Sequence, residues 1–512
     1  MPTTPAAVAP AAGGPSADTT AFAGSRDRFE QVVSWLEGGQ AAGLSHGELE
    51  ARLQVDAREL FRQMLQDHLD LRASSEPRIA QVIDAAQVSR PCAETGHLRA
   101  LATVFGQVEV SRIAYRQRGL PNLHPADAML NLPAEKHSHG LRHLAAIESS
   151  RGSFDAAVQG IERTTGQQLG KRQVEHLAAR AAVDFATFYA QRQPPAAETG
   201  DLLVLSCDGK GVVMRPDALR PATARAAATT NPKLPTRLSK GEKRNRKRMA
   251  EVGAVYDTTP VPRGPGDILP GNDTQRREAT AGPTARNKWL VASVLDAAAT
   301  VVAAIFDEAD RRDPDHHRTW VALVDGNNHQ IQRISAEATA RAITVAVVID
   351  FVHVLEYLWK AAWSFHPEGD PAAEAWVRRH AQTILAGGAT RVAGALRRAA
   401  TTAGLDPAHR ANADTCATYL TNKRAYLDYP TALAQGWPIA TGIIEGACRH
   451  LVKDRMDITG ARWGLHGAEA ILKLRALHSN GDFDTYWNYH LAQEQQRVHR
   501  SRYADSAIPR AA

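Results

Sequence analysis

An α/β and all-α multidomain fold is predicted by three features of the sequence. Short apolar runs rich in Val and Leu recur between residues 202 and 349 and alternate with a helical period, the pattern of a sheet with crossover helices. Ala-, Leu- and Arg-rich segments of helical spacing lie on both sides of that stretch. The length, 512 residues at roughly 150 per domain, gives three or four structural units and room for a large core.

The first 25 or so residues are almost wholly Ala, Pro, Gly, Thr and Ser, too poor in apolar surface to offset chain entropy, and predict a disordered leader. An N-terminal helical region follows over 26–96. In it Ser45 and Glu48 form a capping box ahead of Leu49, Leu53, Ala57, Leu60 and Met64, spaced at three and four residues. Residues 97–195 begin with Thr103-Val-Phe and Val108-Glu-Val, broken by Gly106, a hairpin of the kind that forms the wing of a DNA-binding module. Two helical runs, 154–163 and 171–182, then flank Thr164-Thr-Gly166 in the helix-turn-helix pattern. Lys171, Arg172, Gln173 and His176 stand at the start of the second run, where a recognition helix meets base edges and phosphates. Helical hairpins of ordinary cores share that pattern.

After Pro194-Pro195 the chain alternates strand and helix over 196–365. Leu202 to Cys207 reads as an apolar strand ending in a hairpin-type turn, Asp208-Gly-Lys-Gly211, with Val212 to Met214 returning. Glu251 to Tyr256 reads as a third strand, 297–309 as a helix, Trp320 to Val324 as a fourth strand and Ile343 to Ile349 as a fifth. Trp289 to Phe306 is a buried strand followed by a helix, because Asp296 at its centre argues against a spanning helix. The order βββαβαβ, completed by a later helix, is that of a ribonuclease H-like core. An all-helical insertion over 366–437 separates it from a final helical section, 438–490, and a basic tail, 491–512.

Composition excludes global disorder, collagen-like repeats and a membrane bundle, with 44% hydrophobic and 23% charged residues. Cys92, Cys207, Cys416 and Cys448 stand far apart, which supports neither a disulfide framework nor a zinc ribbon. No secretory signal peptide is read at the N-terminus, so a cytoplasmic setting is expected. The net charge of +6 permits a polyanionic partner without demanding one. Its distribution is more informative. The insert at 231–250 holds Lys233, Arg237, Lys240, Lys243, Arg244, Arg246, Lys247 and Arg248.

Three acids each end or follow an apolar element: Asp208, Asp325 and Glu445. Two aspartates and a glutamate suffice to hold Mg²⁺, with Mn²⁺ as a substitute; two such ions about 4 Å apart activate a nucleophile and stabilise the leaving oxygen in phosphodiester exchange. Acids after strands also serve as turn formers and helix caps. Arg449 and Lys453 follow Glu445 at i+4 and i+8, on one face of a helix, where they reach DNA phosphates or form ordinary helix-surface pairs. Trp359 and Trp363 read as a core stripe, and Cys207 and Cys448 as small packing residues.

The stretches LSCDGKGVVMRPDALR, LSKGEKRNRKRMAEVGAVYD, WVALVDGNNHQIQRI, VVIDFVHVLEYLWKAAW and TGIIEGACRHLVKDRMDITGARW together resemble the ISKra-type insertion-sequence transposases, relatives of the Mutator-like DDE superfamily. The resemblance runs from about His97 to Tyr489. It implies a ribonuclease H-like catalytic domain interrupted by the helical insertion, with Asp208, Asp325 and Glu445 as the acids. The family's C/D-x-x-H signature falls on Asp350-Phe-Val-His353. Asp350 also ends a strand and competes with Asp325 as second metal ligand; Asp325 is preferred because it closes the fourth strand. His353 reads as a supporting residue or a packing residue. The implied activity is DNA transposition: binding of terminal inverted repeats, metal-dependent cleavage at the element ends, and attack of the freed 3′-hydroxyl on target DNA. Double-stranded DNA and a second copy at synapsis are the expected partners, with no membrane and with nucleoid association when DNA is bound. A non-catalytic DNA-binding relic or repressor, and a nuclease without strand transfer, are the rival expectations.

Overall fold

A computed structural model describes residues 21–196, 198, 200–229, 243, 246–271, 273–458 and 460–511. Most of the expected leader therefore lies outside the described residues, and its end belongs to a helix. The chain divides into two compact units, one of residues 1–148, 154–177 and 487–512, the other of 149–153 and 178–486.

In the first unit α1 (Ala23–Glu37), α2 (Gly39–Ala42) and α3 (His46–Ser74) come first. The capping box is present, with the Ser45 N–H and hydroxyl donating to the Glu48 carboxylate at 2.8 and 2.6 Å. Ser25 ties α1 to α3 through Asp67, donating from its N–H at 2.8 Å and its hydroxyl at 2.5 Å. The expected hairpin is β1 (Cys92–Ala102) against β2 (Gln107–Arg116), antiparallel and turning at Gly106. After α4 (Pro125–Met129) and α5 (His139–Arg151), the helix-turn-helix segment is α6 (Phe154–Thr165) and α7 (Lys171–Ala181). Gly166 lies between them at φ +70°, a conformation that suits glycine. Leu141, Ile161, Leu169, Val174 and Leu177 form their shared core. The tail is structured, with Tyr503 buried against Val82, Ile113 and Tyr115.

The second unit begins with α8 (Phe185–Gln191) and builds one mixed five-stranded sheet. Its elements in order are β3 (Leu202–Val213), α9 (Pro221–Ala228), β4 (Lys247–Thr258), α10 (Pro265–Ile268), α11 (Asp273–Glu278), β5 (Arg286–Ser293), α12 (Ala298–Arg312), β6 (Trp320–Val324), α13 (Asn328–Ala340) and β7 (Val345–Ile349). The strand order is β5-β4-β3-β6-β7, with β4 antiparallel to both neighbours and β3, β6 and β7 parallel. Every residue of β6 is buried, as continuous apolar runs in parallel strands are.

Two expectations are corrected. Asp208-Gly-Lys-Gly211 is not a turn: β3 runs straight through it, paired with β4 from Leu202↔Thr258 to Val213↔Lys247. The two glycines leave room for β4 side chains that lie across the strand; a Cβ on Gly209 would sit 2.9 Å from Met249 Cε, and one on Gly211 2.8 Å from Lys247 Cδ, so these flexible ends would have to move. The two expected short strands are thus one, Glu251 to Tyr256 belongs to the second strand of the sheet, and the third is β5, the strand half of the Trp289 to Phe306 segment.

Beyond β7 come α14 (Phe351–Ala362) and the helical insertion, α15 (Pro371–Leu385), α16 (Ala389–Thr402), α17 (Pro407–Asn422) and α18 (Tyr429–Ala434). Trp359 and Trp363 are ring neighbours at 5.5 Å, yet Trp363 is exposed and no core stripe forms. The final section is α19 (Gly442–Ala447), a π-helical turn over Cys448–Lys453, α20 (Asp454–Met456), α21 (Leu465–Asn480) and α22 (Phe483–Val498). Arg449 and Lys453 both belong to this wider π turn, which follows the α19 turn that carries Glu445. Side chains alternate across β3 and its neighbours. A Cβ on Gly253, opposite Cys207, would meet Ile305 of α12, whereas Asp208, one residue on, meets Cys448 of the π turn. The sheet is therefore covered by α12 on one face and by the π turn on the other.

Candidate active site

Asp208 and Asp325 come together at the carboxyl end of the parallel strands. Ser206 pairs with Leu323, so two steps along each strand bring Asp208 on β3 beside Asp325, the residue after β6. Adjacent strands are about 4.8 Å apart. Asp208 is half-buried; its Oδ1 accepts its neighbour Gly209 N–H at 2.7 Å and its Oδ2 the Cys448 thiol at 3.3 Å. Asp325 accepts the Asn327 N–H at 2.8 Å through Oδ1. Its own carbonyl accepts the Tyr419 hydroxyl of α17 at 3.2 Å, so the helical insertion braces the turn that carries it.

Glu445 is exposed on α19. Its carboxyl is pushed up by partial burial and then by the charges of Asp350, Glu356 and Asp208, with His353 opposing, so Asp208 and Asp350 both act on it. The Cys207 thiol, between the strands, is pushed up to about 12 by burial and by Asp208, Asp325 and Glu251. It is a packing residue, as is Cys448, whose thiol is likewise pushed up by burial and Asp208.

Asp350 is occupied differently. It is buried, caps α14 by accepting the Val352 N–H at 2.7 Å, and accepts both the N–H of Thr441, at 3.2 Å, and its hydroxyl. His353 faces Glu356 at 3.5 Å and stacks edgewise on Tyr357 and on Tyr419, the residue that holds the Asp325 carbonyl.

The basic candidates are dispersed. Lys240 and Arg244 lie outside the described residues. Lys243 pairs with Asp457 at 3.0 Å, Lys247 is exposed on β4, and Arg246 is half-buried just before it. Arg248 is a brace: its guanidinium donates to the carbonyls of Val294 at 2.7 Å and Leu295 at 3.2 Å. Lys171 pairs with Asp155, and Arg172 is exposed at the start of α7. Arg449 lies 4.0 Å from Asp454, and Lys453 is exposed.

Two residues of the site have no signal in the local sequence. Glu251 stands opposite Gly209 in the β3–β4 register, on the sheet face that α12 covers rather than the face of the Asp208 carboxylate, and lines a cavity of about 310 Å³ that Asp208, Asp325, Asn327, His329 and Arg333 also border. Burial and the Asp208 charge push its carboxyl up against Arg220, His329 and Arg333. Lys423, buried at the end of α17, donates to Asn328 Oδ1; burial pushes its ammonium down while Asp325 supports its charge. Both depend on strand register or on packing of the insertion, which neighbouring residues do not encode.

Among the described residues no three His, Cys, Asp or Glu side chains form a group that could hold a metal ion. The donor chemistry of the aspartate pair nonetheless suits Mg²⁺, which takes hard oxygens from one or two carboxylates and completes its shell with water and phosphate. No helix among the described residues is long and apolar enough to cross a membrane. No family model and no curated protein matches the chain.

Proposed function

We propose that this chain is a DNA transposase of the DDE type, with a ribonuclease H-like core, that cleaves the ends of its own element and joins them to target DNA. The observation that carries the reading is the juxtaposition of Asp208 on β3 with Asp325, the residue that follows the neighbouring parallel strand β6. Supporting it, the sheet β5-β4-β3-β6-β7 is a single mixed one with one antiparallel member, and the carboxyl of Glu445, which follows an all-helical insertion, feels the Asp208 charge. The block resemblance to ISKra-type transposases points the same way.

Asp208 and Asp325 are the residues to hold Mg²⁺, with Glu445 as the third acid. When bound, the ions supply a Lewis-acid centre for phosphodiester cleavage. The remaining roles fall to the chain itself. Asp350 anchors the start of α19 and thereby positions Glu445. Tyr419 fixes the turn that presents Asp325. Arg172 on α7 and Lys247 on β4 are exposed cations able to hold phosphates without reading sequence.

The test is nicking of duplexes that carry the inverted repeats flanking the coding region, with and without Mg²⁺. Wild type is expected to nick and to join radiolabelled ends to plasmid; Asp208→Asn is expected to bind and do neither. Equal inactivity of both proteins with DNA binding retained favours the non-catalytic binder, and nicking without joining favours the nuclease.

A further inference from the structure

The cavity beside the acids has a second wall of opposite character, made by the start of α13. His329 and Arg333 stand at i and i+4 on that helix and share a face. The Arg333 Nε–H donates to His329 Nε2 at 3.0 Å, so the imidazole is an acceptor at that nitrogen and carries its proton on Nδ1. This is the only hydrogen bond of Arg333 among the described residues, and no ion pair engages it. On a helix surface a carboxylate one turn away can pair with an arginine. Here the residue one turn on is Glu337, which instead pairs with Arg341 at 3.3 Å. The Glu251 carboxylate across the cavity feels the Arg333 charge, and no ion pair joins the two. His329 therefore holds the guanidinium by its Nε edge, and Nη1 and Nη2 of this half-buried cavity-lining residue have no hydrogen-bond partner among the described residues.

We infer that Arg333, oriented by His329, is a phosphate contact for the DNA strand that enters the Asp208 and Asp325 site. A guanidinium with a presented Nη edge matches a phosphate bidentately. An array of carboxylates repels a polyanion unless cations stand beside it, and Arg333 supplies that cation on the wall facing Glu251. The contact is to the sugar-phosphate backbone and carries no sequence preference. The inference rests on reading the site as one that handles DNA, and its test is kept separate from cleavage.

Full-length protein in EDTA is titrated with a duplex carrying one element end, over a series of salt concentrations. Each phosphate contact contributes about 0.9 to the slope of log K against log salt. Arg333→Ala is expected to weaken binding and to reduce that slope by about 0.9, Arg333→Lys to restore the slope, and Arg398→Ala, an exposed arginine on α16, to leave binding and slope unchanged. An Arg333→Ala slope equal to wild type, with an equal thermal midpoint, overturns the inference even if wild type cleaves DNA with Mg²⁺. A reduced slope in a protein that never cleaves upholds the phosphate site and removes the transposase reading. A wild type that binds no DNA removes both.

Discussion

Asp350 holds Thr441 by two hydrogen bonds, accepting its backbone N–H and its hydroxyl on one carboxylate oxygen. Thr441 opens α19, and its carbonyl accepts the N–H of Glu445 at 3.1 Å. The end of β7 is thus tied to the third acid through a single buried residue. Thr441→Val keeps the shape and removes one of the two bonds, so about 1–3 kcal/mol of stability should be lost, read by urea denaturation. Cleavage should fall with it as α19 loosens. A Thr441→Val protein as stable as wild type would show that the tie bears nothing.

The same geometry separates the two aspartates that compete for the second ligand position. Asp325 is half-buried and accepts one backbone N–H, which an asparagine oxygen can also accept. Asp325→Asn should therefore unfold within about 0.5 kcal/mol of wild type and be inactive in cleavage. Asp350→Asn turns an amide N–H₂ toward donors and should lose at least as much stability as Thr441→Val. If only Asp350→Asn abolishes cleavage while its stability is unchanged, the assignment of Asp325 is wrong.

Gly326 lets the turn after Asp325 close against the insertion. Its φ is +91°, and a Cβ there would stand 2.6 Å from the Tyr419 hydroxyl. Gly326→Ala should be destabilised by about 1–3 kcal/mol and should lose cleavage through displacement of Asp325. Tyr419→Phe in the same chain removes the clashing oxygen but not the backbone strain. Partial recovery of the melting temperature in the double variant is expected; none at all would place the cost wholly in the backbone.

The strands that align the acids were legible where burial is complete, since β6 and the first half of β3 are continuous apolar runs. Asp208-Gly-Lys-Gly211 misled because two glycines separated by one residue read as a turn locally. Their use is non-local: they make room for Met249 and Lys247 from β4. Glu445 was legible as an acid within a helix, but the π turn after it was not, because one extra residue per turn leaves no mark in composition. Glu251 and Lys423 reach the site through register and through packing of the insertion, neither of which is written in neighbouring residues.

Thiol chemistry offers a check on the packing around Asp208. Cys92 is exposed, whereas Cys207, Cys416 and Cys448 are buried. Burial pushes the Cys207 and Cys416 thiols up to about 12, and Cys448 is raised as well. The thiolate is the reactive form, so a disulfide reagent at pH 8 should titrate one thiol per native chain quickly and the other three only on unfolding. Fast reaction of the Cys92→Ser variant would mean that at least one of Cys207, Cys416 and Cys448 is open to solvent, and loss of that reaction on Cys416→Ser would place it away from Asp208.

The first unit carries a pH dependence of its own in His139. Its Nε2–H donates to the Asn131 carbonyl at 2.8 Å, and its buried Nδ1 has no partner among the described residues. Burial, helped by the Arg142 charge, brings its pKa from 6.5 down to about 4. A histidine depressed in the folded state lets the unfolded chain take the proton first. Stability is therefore whole above pH 6.5 and falls as the pH drops from there toward 4, by at most about 3 kcal/mol at 1.36 kcal/mol per unit. His139→Gln keeps an N–H donor for Asn131 and removes the titration. The stability advantage of wild type over His139→Gln, measured by urea denaturation, should be greatest near pH 7 and shrink steadily toward pH 4. Parallel curves for the two proteins across that range would mean that the imidazole is solvated and that the acid loss arises elsewhere.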